Sequence, residues 1–116
     1  MKRASLIFAA ALVLAAFPAL AHGLMESATP AAAAALTKSP PAIVLQFSQP
    51  LGEGCEIIVT NQKGRLVPTG IAIVTGKTLT LKLPPLEPGL YRVRWHAVSV
   101  DTHKTQGSYP FRIVAE

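Results

Sequence analysis

Hydrophobic and polar residues alternate along most of this chain with a period of two, the pattern of strands that bury one face. Ile43, Leu45 and Phe47 share one side of a run that ends near Pro50. Cys55 to Thr60 reads as a second strand, and Asn61-Gln62-Lys63-Gly64 as the turn after it, with Gly64 free to take positive φ. Leu66-Val67 and Ile71 to Val74 follow, interrupted by Pro68 and Gly70, before Thr75-Gly76-Lys77 turns the chain again. Leu79, Leu81 and Leu83 alternate with Thr80 and Lys82 until Pro84-Pro85. The longest run is Leu90 to Val100, with Tyr91, Val93, Trp95 and Ala97 on one face. Gly107 to Val114 closes the chain and carries Tyr109, Phe111 and Ile113.

No stretch shows a convincing period of 3.6. Ala31 to Leu36 is helix-friendly, but Pro30 precedes it and Pro40-Pro41 soon follows, which leaves room for a short turn at most. With the segment after His22, the pattern predicts about seven short strands in an all-β, antiparallel sandwich. A local motif sharpens this reading. In Leu86-Glu87-Pro88-Gly89-Leu90-Tyr91 a tyrosine follows a Pro-Gly turn and opens the longest strand. That arrangement suits a tyrosine corner, whose ring packs inward and whose hydroxyl bonds backbone across the turn. Trp95, on the same parity, belongs to the core.

The first residues do not fit the strand pattern. Met1-Lys2-Arg3 is basic, Leu6 to Phe17 is apolar and uncharged, Pro18 breaks the run, and Ala19-Leu20-Ala21 offers small residues for cleavage. This is the form of a secretory signal peptide, residues 1–21, and its apolar run is shorter than the ~20 residues of a spanning helix. Cleavage after Ala21 leaves one domain, residues 22–116. Removing Lys2 and Arg3 lowers the formal charge from +5 to +3, and the remaining basic residues are scattered. That distribution gives no footprint for nucleic acid. Cys55 is the one cysteine, so it cannot pair within the chain, and it reads as a small buried residue.

Export changes the chemistry available at the new N-terminus. A first residue His22 offers a free α-amine and ring Nδ1, which close a six-membered chelate ring on one metal. Asp101 and His103 lie two apart at the end of the longest strand, where an extended chain would point both to one face. The set is three nitrogens and one oxygen, which in tetragonal array suits Cu(II); Zn(II) would accept the same ligands tetrahedrally. His96 has the opposite parity and is expected on the outer surface. Met25 is the one methionine left after cleavage, too few for a thioether site for Cu(I).

From His22 onward the chain resembles the copper-resistance protein C (CopC) family. The resemblance rests on His22 after Ala21, Ser27-Ala28-Thr29-Pro30 and Val44-Leu45-Gln46-Phe47-Ser48. It continues through Leu86-Glu87-Pro88-Gly89-Leu90-Tyr91-Arg92-Val93-Arg94-Trp95, then Ser99-Val100-Asp101-Thr102-His103, Gly107 and Phe111. It implies an immunoglobulin-like β-sandwich or Greek-key barrel in the bacterial periplasm. It also implies Cu(II) carriage or sequestration, with His22, Asp101 and His103 as ligands. The expected partners are the copper ion and a membrane copper transporter or another periplasmic copper protein, with the chain itself a monomer. The family often has Glu after the Phe-Ser pair, close to copper, where this chain has Gln49. The neutral amide removes a negative charge near the metal. Some members also carry a methionine-rich segment for Cu(I), and this sequence resembles the Cu(II)-only type. A small redox enzyme is the alternative, because an N-terminal histidine brace also occurs in copper monooxygenases. Those use a flat aromatic face, whereas most aromatics here fall on core parity.

Overall fold

The computed structural model describes residues 25–115. They form eight strands: β1 (Met25–Thr29), β2 (Ala35–Leu36), β3 (Ala42–Phe47), β4 (Glu56–Asn61), β5 (Ile73–Thr75), β6 (Thr78–Lys82), β7 (Gly89–Val98) and β8 (Lys104–Ile113). One sheet has the order β1-β3-β6-β5 and the other β2-β8-β7-β4. All neighbours run antiparallel except β2, which pairs parallel to β8. The chain passes between the sheets after β1, β2, β3, β4 and β6, so the apolar faces of both must meet in the middle. This is the all-β, antiparallel sandwich that the alternation predicts.

The alternating residues supply the core. Ile43, Leu45 and Phe47 of β3 and Leu79 and Leu81 of β6 face Ile57 and Val59 of β4, Tyr91, Val93, Trp95 and Ala97 of β7, and Tyr109, Phe111 and Ile113 of β8; all are buried. The Phe47 and Trp95 rings meet edge to face, 5.6 Å between centroids, a favoured aromatic geometry. Trp95 lies opposite Gly107, and a Cβ there would sit 2.8 Å from the indole Cζ2. Glycine at that position is therefore a packing requirement. The tyrosine corner is present: the Tyr91 hydroxyl donates to the Glu87 carbonyl at 2.7 Å, and its ring stacks on Phe111 at 5.4 Å. Burial raises the Tyr91 pKa above the ordinary phenol value.

Three local expectations are corrected. The Ala31 to Leu36 stretch does hold a turn, with Ala33 at φ 65°, but it then forms β2 along Arg112 and Ile113. The Ala33 amide donates to the Pro110 carbonyl, and the Val114 amide donates to the Leu36 carbonyl, both at 2.7 Å. The open edge of β8 thus recruits a segment too short to show a period. The strand expected over Ile71 to Val74 is β5, Ile73–Thr75, and it is exposed along its length. Finally, the long strand ends at Val98 and the last one begins at Lys104, earlier than Gly107. Asp101 and His103 therefore lie in the turn between β7 and β8, beyond the end of the strand.

Candidate metal centre

Ser99-Val100-Asp101-Thr102-His103 reverses the chain between two paired ten-residue strands. The Ser99 amide donates to the His103 carbonyl at 2.9 Å, and the Thr102 amide donates to the Ser99 carbonyl at 2.8 Å. Thr102 takes φ 71°, a conformation few β-branched residues adopt, and the closed turn holds it there. The connection between β3 and β4 braces the turn from the side. Leu51 bridges to Ser99, and the Val100 amide donates to the Pro50 carbonyl at 3.0 Å. The Gly52 amide donates to the Val98 carbonyl at 2.7 Å, and a Cβ at Gly52 would meet the Ser99 carbonyl at 3.4 Å.

This frame aims two side chains outward. The Ser99 hydroxyl, 2% exposed as a residue, donates to Asp101 Oδ1. The His103 amide donates to the same oxygen at 3.2 Å. Asp101 Oδ2 is left 3.4 Å from His103 Nδ1, with the two side chains 53% and 73% exposed. The Ser99 hydroxyl first, and then the His103 amide, hold the Asp101 carboxyl below the usual carboxylate pKa. The group is thus an anion at neutral pH. Two donors bonded to one ion at about 2 Å can stand at most about 4 Å apart, so Oδ2 and Nδ1 can reach the same metal. The structure brings the Asp101 and His103 side chains together, but not by strand parity. The turn closes them onto each other.

His96 behaves as its parity predicts. It lies between Glu56 and Gln106 on the outer face, its Nδ1 3.3 Å from the Gly54 carbonyl. Cys55 is partly buried; its sulfur accepts from the Val98 amide at 3.3 Å and lies 3.4 Å from the Gly52 carbonyl. Gln49 is partly buried and adjoins Pro50, whose carbonyl takes the Val100 amide, so it sits beside the turn. His22 lies outside the described residues. Among the described residues no group of three or more His, Cys, Asp and Glu side chains is placed to hold a metal. Asp101 and His103 thus provide two donors, and a closed site needs more. Strand β1 begins at Met25, opposite Phe47, at the end of β3 that leads into Gln49 and the turn's brace. Ser99 is the member that sequence reasoning missed. Its signal was its position two residues before Asp101, obscured because serine on an inward parity reads as filler.

The CopC domain family model matches residues 25–114, which include the whole turn. Protein YobA of Escherichia coli is 37% identical over 98 residues, covering 80% of this chain and 79% of that protein. Copper resistance protein C of Pseudomonas syringae pv. tomato is 35% identical over 117 residues, covering 92% and 91%. The crystal structure of CopC from Methylosinus trichosporium aligns with a TM-score of 0.75 at 28% identity, covering 80% of this chain and 94% of that one.

Proposed function

The chain belongs to the CopC domain family, and from that premise we propose that it is a periplasmic protein that binds Cu(II) and carries or sequesters it for copper homeostasis and resistance. One observation carries this reading. A rigid, braced turn presents an ionised carboxylate and an imidazole 3.4 Å apart at the surface. In this proposal residues 1–21 direct export and are removed, and residues 22–116 form the copper-binding domain. His22 then supplies its amine and imidazole. It lies three positions before Met25 in the chain, a reach of about 10 Å at ~3.3–3.6 Å per residue. A chelating nitrogen pair with one imidazole and one carboxylate suits a tetragonal Cu(II) centre. An accessible site of this kind fits a cargo ion that must be handed on, to a membrane copper transporter or another periplasmic copper protein.

We assign the chain no catalytic role. Phe47, Tyr91, Trp95, Tyr109 and Phe111 are the aromatic residues from Met25 onward, and all are buried in the core. None is left to build a stacking face for a polymer substrate. The reading is tested by intact mass of the protein recovered from the periplasm and given one equivalent of Cu(II). The expected mass is that of residues 22–116 plus one copper. A protein that starts elsewhere, or that takes up no copper, would overturn it.

A further inference from the structure

The geometry points to Ser99 as the positioning residue that decides which oxygen of Asp101 meets the metal. This deepens the proposed copper function and rests on it. Ser99 is the one polar residue buried among the described residues, inside a family of side chains that are otherwise apolar. Its hydroxyl has a definite task there: it donates to Asp101 Oδ1. The His103 amide donates to that same atom at 3.2 Å. With two donors on it, Oδ1 is occupied by the protein. Oδ2, on the side of His103 Nδ1 at 3.4 Å, is the oxygen left for a ligand bond.

Two consequences follow from that division. Asp101 engages an ion through a single oxygen, because turning the carboxylate to offer both would break the bonds from Ser99 and from the His103 amide. One-oxygen ligation matches a small tetragonal site, whereas large hard cations such as Ca(II) gain from carboxylates that bind with both oxygens. Ser99 therefore contributes to metal selectivity as well as to affinity, without touching the ion. It can do so because it is itself fixed: its amide donates to the His103 carbonyl, and its backbone is bridged to Leu51. The hydroxyl is anchored in the core and reaches out to the surface, so the carboxylate inherits the rigidity of the sandwich.

The experiment is a chelator-competition titration with Cu(II), with electron paramagnetic resonance of each copper-loaded form. It uses the mature protein and the variants Ser99→Ala, Ser99→Val, Ser99→Thr and Asp101→Ala. Loss of a residue that orients a ligand typically weakens metal binding about 10-fold to 100-fold. Ser99→Ala and Ser99→Val are expected to fall in that range and to change the copper spectrum, as the freed carboxylate changes its mode of binding. Ser99→Thr restores the hydroxyl and is expected to recover both affinity and spectrum. Ser99→Val matches Ser99→Thr in shape and lacks the hydroxyl donor, so that pair isolates the hydroxyl even if Ser99→Ala does not fold. Unchanged affinity and spectrum in a folded Ser99→Ala or Ser99→Val, or failure of a folded Ser99→Thr to recover them, would overturn the assignment. If Asp101→Ala also binds Cu(II) as the parent does, the fault lies with Asp101 as a ligand; if Asp101→Ala alone is weakened, it lies with Ser99.

Discussion

The two ends of β7 use the same chemical device to opposite effect. At Gly89–Tyr91 a buried tyrosine places its hydroxyl on the Glu87 carbonyl, closing a turn over stacked rings. At Val98–His103 a buried serine places its hydroxyl on a carboxylate that stands in solvent. The first hydroxyl satisfies backbone and ties the turn to the core. The second holds a charged group out of the core at a set angle. The difference shows how a small sandwich can divide tasks along one strand: ring packing secures one end, and a hydrogen-bonded turn holds exposed polar side chains at the other. The two turns also differ in what braces them. The corner is held by its stacked rings and by side chains, with Ser39 Oγ accepting from the Leu86 amide at 2.7 Å and Gln62 Oε1 from the Leu90 amide at 3.1 Å, while the β7–β8 turn leans on backbone from Pro50 to Gly52.

Substitutions that strike one end and spare the other test this contrast. The largest effect is expected from Phe111→Ala, which removes a fully buried ring from beneath Tyr91. It should cost about 3–5 kcal/mol in denaturant unfolding, with the Cu(II) affinity of the protein that remains folded unchanged. His103→Ala and Asp101→Ala should do the reverse. Each is expected to lower Cu(II) affinity by about 100-fold or more, beyond the usual loss for residues that only orient a ligand, while changing metal-free stability far less than Phe111→Ala does. His96→Ala is the control for that titration and should leave the affinity within error. Tyr91→Phe comes next, at about 1 kcal/mol of stability for one hydrogen bond, again with copper binding intact. A copper defect in Tyr91→Phe would show that the two ends are coupled.

The smallest expected effect is electrostatic. Asp101 has its pKa lowered in the folded protein by the Ser99 hydroxyl and the His103 amide. A lowered folded value means that the carboxylate contributes stability at pH values above the ordinary Asp range, and that this is lost as pH falls through the lowered value. Metal-free melts taken from pH 5 down to pH 2 should therefore show wild type losing its advantage over Asp101→Asn at the acid end. The side chain is half exposed, so solvent screening keeps the effect slight. An advantage that grew with acidity would contradict the hydrogen bonds described.

Much of this was legible in the sequence because strand alternation writes the core directly. Every inward residue from Ile43 to Phe47, from Leu79 to Leu81 and from Tyr91 to Ala97 was visible as a period of two, and so was the tyrosine corner. The two-residue β2 was not, since its pairing is imposed by the free edge of β8 and leaves no mark in two side chains. The pairing of Asp101 with His103 was found by an argument about an extended strand, whereas the side chains meet because the chain turns between them. Local spacing cannot tell these apart: residues two apart come together in both. Ser99 was out of reach for a related reason. Its role depends on a hydroxyl turning toward a neighbour across a reversal whose geometry is set by β7 and β8 pairing up to Val98 and Lys104.

In the proposed site one Cu(II) is held jointly by the N-terminal amine and imidazole of His22 and by the Asp101 and His103 pair. The decisive experiment is chelator-competition titration of two proteins side by side, one beginning at His22 and one carrying a single extra residue before it. The extra residue turns the amine into an amide and leaves the sandwich and its turn untouched. Tight one-to-one binding is expected for the first protein, and an affinity about 100-fold or more weaker for the second. Equal affinities would show that the amine is no ligand and would contradict the site.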